Sequence, residues 1–102
     1  MTTRGATVFF GAHIEGGVRS VPRTGGAVTT VAQNCAVVDV EVDDARVYFV
    51  CFDGGVWAVD RRPGSTPELL TRGVPTFSAL TLGPRALYAY SALEDHIERF
   101  PR

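Results

Sequence analysis

The sequence predicts an all-β protein made of repeated units of roughly 40 residues. Three observations support this class. Apolar and polar residues alternate in segments such as 38–42, which is the period of a strand with one buried face. No long segment keeps the 3.6-residue period of a helix, and eleven glycines with six prolines interrupt the chain. Finally, a short apolar motif recurs at a nearly constant interval.

The recurring motif is an apolar strand that occurs three times. Its copies begin at Val8, Val47 and Leu87, so the intervals are 39 and 40 residues. A second strand follows each copy in step and ends in an arginine. These second strands span 17–23, 55–61 and 96–102. Such a period marks units that cannot bury their own faces and must stack on neighbours, which favours β-propeller blades over a sandwich.

Taken in order, the strands divide the chain into a partial unit (1–36), a complete unit (37–74) and a second partial unit (75–102). The predicted strands are 8–10, 17–23 and 30–32; then 38–42, 47–52, 56–61 and 68–71; and lastly 78–82, 87–89 and 96–102. Turn residues separate them. Residues 43–46 read as a tight hairpin, and Gly25, Gly26 and Gly64 supply residues that tolerate turn geometry.

The second unit also resembles a known family. Residues 47–50 (Val-Tyr-Phe-Val), followed by 53–55 (Asp-Gly-Gly) and 56–59 (Val-Trp-Ala-Val), are similar to the blade pattern of YWTD-type and NHL-type six-bladed propellers. The resemblance implies β-propeller blades of four antiparallel strands. On that basis the chain holds about two and a half blades, whereas closed propellers have four to eight.

A partial propeller exposes an apolar sheet face at each end. Two copies supply about five to six blades, so we expect a partial propeller completed by oligomerisation, as a homo-oligomer with a dimer favoured. Two alternatives stay open. A different partner supplies the missing blades of a longer propeller, or the chain is an engineered or evolutionary-model fragment.

Composition excludes several classes of partner. Eleven acidic and ten basic residues give a net charge of −1, so neither nucleic acid nor an anionic membrane is expected to bind. No apolar run is long enough to span a membrane, and the first residues do not form a signal peptide. We therefore expect a soluble chain, in a compartment that the sequence does not identify.

Candidate ligand-binding residues lie in the loops between the second and third strands of each unit. They are His13, Glu15, Asp53, Glu94 and His96. Gathered at one mouth of a channel, such carboxylates and imidazoles suit a divalent cation or sugar hydroxyls. Their spacing does not repeat faithfully, so ordinary solvated loops are the favoured interpretation.

Five further residues carry two interpretations each. Trp57 either stacks a sugar ring or partner at the surface, or packs between blades, and packing is favoured. Cys35 and Cys51 are read as small buried apolar residues, with a disulfide as the alternative. Arg61 and Arg62 either hold a carboxylate or phosphate, or end a strand in solvent.

No catalytic signature is present in the sequence. It contains neither a nucleophile motif nor a phosphate-binding loop, and no cofactor is expected. The leading hypothesis is a non-catalytic propeller module that binds protein or carbohydrate or serves as a structural unit. The runner-up, implied by the resemblance, is a metal-dependent hydrolase or lyase with its site at the channel mouth.

Overall fold

A computed structural model describes residues 2–12, 16–33, 35–62, 64–71 and 77–101. Within these ranges every regular element is a β-strand, which confirms the predicted all-β class. The same ranges contain no helix with the length and apolar character needed to cross a membrane.

The strands form three antiparallel sheets in chain order. The first sheet contains β1 (Thr2–Arg4), β2 (Thr7–Gly11), β3 (Val18–Pro22) and β4 (Thr29–Ala32). The second contains β5 (Val37–Val42), β6 (Arg46–Cys51), β7 (Val56–Asp60) and β8 (Glu68–Leu69). The third contains β9 (Ala79–Leu82), β10 (Ala86–Ser91) and β11 (His96–Pro101). Within each sheet, strands adjacent in sequence are adjacent in space.

The first sheet has one strand more than the sequence predicts. All ten predicted strands are present with small shifts at their ends, and β1 is added to them. β1 pairs with β2 through Thr3 opposite Val8. Its sequence, Thr-Thr-Arg, has no apolar alternation, and its pairing with the longer β2 is what makes it a strand.

The second sheet lies between the other two and buries both of its faces. One apolar cluster joins it to the first sheet and includes Phe9, Val18, Val47, Phe49 and Val59. Another joins it to the third sheet and includes Tyr48, Val50, Leu80, Leu87 and Phe100. Successive side chains of a strand point to opposite faces, so β6 contributes alternately to the two clusters.

The central hairpins of the three sheets pair in equivalent registers. Val47 lies opposite Val59 in the second sheet. The corresponding pairs are Val8 opposite Val21 in the first sheet and Leu87 opposite Phe100 in the third. These are the residues that the sequence repeat aligns, so the repeat is preserved in the strand pairing.

Asp43 fixes the turn between β5 and β6. Its Oδ1 accepts hydrogen bonds from the backbone N–H groups of Ala45 and Arg46, at 2.9 and 2.7 Å. Its Oδ2 accepts a hydrogen bond from the buried Tyr48 hydroxyl at 3.0 Å. The carboxylate therefore organises the turn and also satisfies a polar group in the core. The hairpin predicted over 43–46 is confirmed.

Asp39 ties the second sheet to the third. Its Oδ1 accepts a hydrogen bond from the N–H of Val40 in its own strand, at 3.0 Å. Its Oδ2 accepts one from the N–H of Leu80 in β9, at 2.8 Å. One side chain thus joins the strands β5 and β9 across two sheets.

Cys35 and Cys51 form a disulfide, which corrects the favoured interpretation of two separate buried thiols. Their Cα atoms are 5.8 Å apart, inside the range that a disulfide requires. Cys35 lies in the segment between β4 and β5, and Cys51 ends β6. The bond therefore anchors the connection between the first and second sheets onto the second sheet.

Candidate interaction faces

The outer face of the third sheet is apolar and open to solvent. We call it the β10 face. Tyr88 and Tyr90 on β10 and Ile97 on β11 are its large side chains, and they flank a shallow groove that also contacts Ala79 and Thr81. Tyr90 lies directly opposite Ile97 in the strand pairing, so the two side chains share this face.

The β10 face corresponds to a buried face of the second sheet. The pair Tyr90–Ile97 occupies the register of Val50–Val56, which is fully buried against the third sheet. By contrast Tyr90 is 39% exposed and Ile97 is 64% exposed. Tyr88, also 39% exposed, corresponds to Tyr48, which is 1% exposed. The third sheet therefore displays a surface of the kind that a neighbouring sheet covers elsewhere in the chain.

A second open face lies at the other end of the stack. We call it the β2 face, and its large apolar side chains are Val8 and Phe10 on β2 and Val21 on β3. They alternate with Phe9, which points toward the second sheet. All three are half-buried and belong to neither apolar cluster.

The β2 face also has a buried counterpart in the second sheet. Val8 and Val21 occupy the register of Val47 and Val59, which are 0% and 1% exposed where they pack on the first sheet. The two ends of the stack thus carry the two halves of a contact that the chain already makes internally. The β10 face corresponds to the face of the second sheet that packs on the third sheet. The β2 face corresponds to the face of the second sheet that packs on the first sheet.

A cation marks the internal contact between the first and second sheets. The Arg61 guanidinium carbon lies 5.3 Å from the centre of the Phe9 ring, close enough for a cation–π interaction. Arg61 follows β7, and its backbone N–H donates to the Ala45 carbonyl at 3.0 Å. Arg23 follows β3 in the same way, and its N–H donates to the Ala6 carbonyl at 2.7 Å. Arg23 is therefore the counterpart of Arg61.

Of the predicted loop residues, the structure describes Asp53, Glu94 and His96, while His13 and Glu15 lie outside the described residues. Asp53 is exposed, and its Oδ1 accepts a hydrogen bond from the Gly55 N–H at 2.9 Å. His96 is exposed, and its Nε2 lies 3.3 Å from Oε1 of Glu98. Glu94 is exposed in the turn between β10 and β11.

These loop side chains do not form a metal site in the described part of the chain. There, no three His, Cys, Asp or Glu side chains come together in a way that could hold a metal ion. Asp53 and His96 are engaged with groups in their own hairpins instead.

Trp57 packs inside the stack. Its ring is stacked on Phe49, with the ring centres 6.5 Å apart and the planes 5° from parallel. It is half-buried against the cluster that joins the first and second sheets. This location is the one that the packing interpretation expects.

One carboxyl group on the strand β5 has a shifted pKa. Burial raises the pKa of Glu41 above its usual value of 4.5, and the nearby Asp39 carboxylate raises it further. The folded chain therefore favours the protonated form of Glu41 more than the unfolded chain does.

Comparisons with known proteins do not identify a relative. No protein-family model matches the chain, and no curated protein matches it.

The sequence prediction of the site did not name Tyr88, Tyr90 or Ile97. A signal for them was present, because each is aligned by the repeat with a residue of the second unit that is buried. Within the described residues no sheet packs on this face of the third sheet.

Proposed function

We propose that this chain is a non-catalytic β-propeller module that assembles with a second copy of itself. The β10 face of one copy packs on the β2 face of the other, repeating the contact by which the first sheet packs on the second. Two copies then contribute six blade-like sheets to one ring, a number within the range of closed propellers.

The observation that carries this proposal is the exposure of the β10 face. Its side chains are open to solvent at positions whose counterparts in the second sheet are buried. At roughly 25 cal/mol per Å² of apolar area, covering a few hundred Å² on each partner contributes on the order of 10 kcal/mol before the entropic cost of association. Two such contacts form in a two-copy ring.

Charge placement supports a second copy as the occupant. In the internal contact, Arg61 of the second sheet lies over Phe9 of the first. Tyr88 of the third sheet is at the position equivalent to Phe9 of the first sheet. Arg23 of the first sheet is at the position equivalent to Arg61 of the second sheet. A second copy docked in the same way places its Arg23 over Tyr88, so each half of this pair is present in the chain.

The assembly is tested by measuring mass in solution with size exclusion and light scattering. We expect twice the 11.0 kDa chain mass at micromolar concentration. Ile97→Arg places a charge on the β10 face and is expected to give the monomer mass. Arg23→Gln is expected to weaken the dimer by about five- to thirtyfold, since it removes one cation–π contact of roughly 0.5–1 kcal/mol at each of the two junctions.

Val28→Arg is the matched control, because Val28 is an exposed apolar residue outside both faces. It should leave the dimer intact. The proposal would be overturned by a well-folded wild-type chain that stays monomeric when its concentration is raised roughly 100-fold above the micromolar range, where even weak association is detectable. It would also be overturned by an Ile97→Arg variant that retains the dimer mass with native circular dichroism.

The loop end of the ring is the proposed binding surface for a protein or carbohydrate. The turns of the central hairpins in the second and third sheets carry exposed polar groups: Asp53 lies in the first of these turns, Glu94 lies in the other, and His96 follows it. Loops on a rigid β scaffold are common sites of recognition. A glycan array and pull-down with an Asp53→Ala, Glu94→Ala double variant as control tests this surface separately from assembly.

A further inference from the structure

A cavity of about 170 Å³ lies between the first and second sheets, away from both open faces. It is many times larger than the ~10–15 Å³ that one water molecule needs. Arg61 and Arg62 line it from the end of β7, and Thr7, Ser20 and Thr29 line it from the first sheet.

The polar side chains of this cavity are rich in hydrogen-bond donors. Ser20 lies opposite Thr29 in the strand pairing, and Ser20 also lies opposite Phe9, which faces the second sheet. The hydroxyls of Ser20 and Thr29 therefore sit on the side that faces the two arginines. Among the described residues that line the cavity there is no carboxylate.

Arg61 is held in place before any ligand binds. Its Nη1 donates to the carbonyl oxygens of Asp43 and Asp44, at 3.2 and 3.4 Å, and its guanidinium lies over the Phe9 ring. A guanidinium has five N–H donors, so these contacts leave others for a ligand. The Arg62 side chain is exposed and makes no hydrogen bond within the described part of the chain.

From this geometry we infer that the cavity binds a tetrahedral oxyanion, a phosphate or sulfate group. Guanidinium groups bind such oxygens with charge-assisted hydrogen bonds, and the hydroxyls of the first sheet supply donors from the opposite side. Donors on two sides suit an acceptor whose oxygens point in several directions better than a flat carboxylate. This site does not depend on the proposed assembly.

The test is a titration of ¹⁵N-labelled chain with inorganic phosphate, followed by NMR at constant ionic strength set with NaCl. We expect saturable shifts of the amides of Ser20, Thr29, Arg61 and Arg62. Arg62→Gln should weaken binding about tenfold, because it removes one charge-assisted contact. Thr29→Val should weaken it by a smaller factor, about threefold, since it removes a neutral donor.

Arg85→Gln is the matched control, because Arg85 is an exposed arginine in the turn between β9 and β10. Its affinity should stay within about twofold of the wild type. Parallel titrations with O-phosphoserine and serine distinguish the source of the anion. Tighter binding of O-phosphoserine than of inorganic phosphate assigns an esterified group, and the reverse assigns the free ion.

Two results would overturn the inference. One is an absence of saturable shifts at the cavity residues beyond those that NaCl produces. The other is an Arg62→Gln variant that binds phosphate as tightly as the Arg85→Gln control. Because the readout is made residue by residue, neither result depends on whether the chain is monomeric or dimeric.

Discussion

Reduction of the Cys35–Cys51 disulfide is predicted to lower the stability of the chain substantially. The bond closes a loop with a sequence separation of 16 residues. In the chain-entropy treatment a loop of this length contributes roughly 3 kcal/mol, because the crosslink restricts the unfolded state. For a domain of this size, each kcal/mol shifts Tm by about 4–8 °C, so reduction is expected to lower Tm by about 12–24 °C.

The assay is thermal unfolding by circular dichroism with and without a phosphine reductant, at one fixed protein concentration. Fixed concentration matters because an assembled chain has a concentration-dependent Tm. The Cys35→Ala, Cys51→Ala double variant is the control, and its Tm should not respond to the reductant. Thiol titration of the unreduced, denatured wild type is expected to find no free thiol.

Either of two results would refute this reasoning. Two free thiols per chain in the unreduced protein would show that the bond does not form. A disulfide that forms but leaves Tm unchanged on reduction would show that the crosslink does not stabilise the fold by restricting the unfolded ensemble.

Two further predictions concern the acidic residues of the second sheet. Asp43→Ala removes the acceptor of two turn N–H groups and of the Tyr48 hydroxyl, so a loss of about 2–4 kcal/mol is expected in urea unfolding. The control is Glu94→Ala, at an exposed position of the turn between β10 and β11, for which a loss of less than about 0.5 kcal/mol is expected. An equal effect of both substitutions would contradict the role of Asp43. Burial raises the pKa of Glu41 above its ordinary value of 4.5. The contribution of Glu41 to the free energy of unfolding is therefore complete below about pH 4.5, and it is lost as pH rises through the folded-state pKa. Glu41→Gln should therefore increase stability relative to wild type more at pH 7 than at pH 4, and an identical difference at the two pH values would speak against it.

Much of the fold was predictable because strand periodicity is a local signal and the repeat aligns equivalent strands of the three units. Every strand with alternating apolar residues was predicted, and the alignment of Val8, Val47 and Leu87 is reproduced in the strand pairing. β1 was missed because its three residues carry no apolar pattern. It pairs as a strand because β2 offers a free edge with unpaired backbone groups.

The site was less predictable, since its residues are set by distance in space. Cys35 and Cys51 meet only when the segment before β5 folds back onto the end of β6, and their separation in sequence does not require this. An exposed apolar face at the end of the third sheet was expected from the repeat, but Tyr88 and Ile97, which form it, were not named. Trp57 lies against Phe49 because both faces of the second sheet are covered, which its own segment of sequence does not determine.

The carboxylate of Asp39 makes the junction between the second and third sheets different from the junction between two chains in the proposed ring. Asp39 lies opposite Val50 and bonds to the backbone of β9, and Ala79 lies opposite Tyr90 in the equivalent position of the third sheet. The methyl group of Ala79 accepts no hydrogen bond. A sheet that another copy packs against the third sheet therefore lacks a hydrogen bond equivalent to the one between Asp39 and Leu80. Partner exchange is thus expected to begin at the junction between chains, with each three-sheet stack separating as an intact piece.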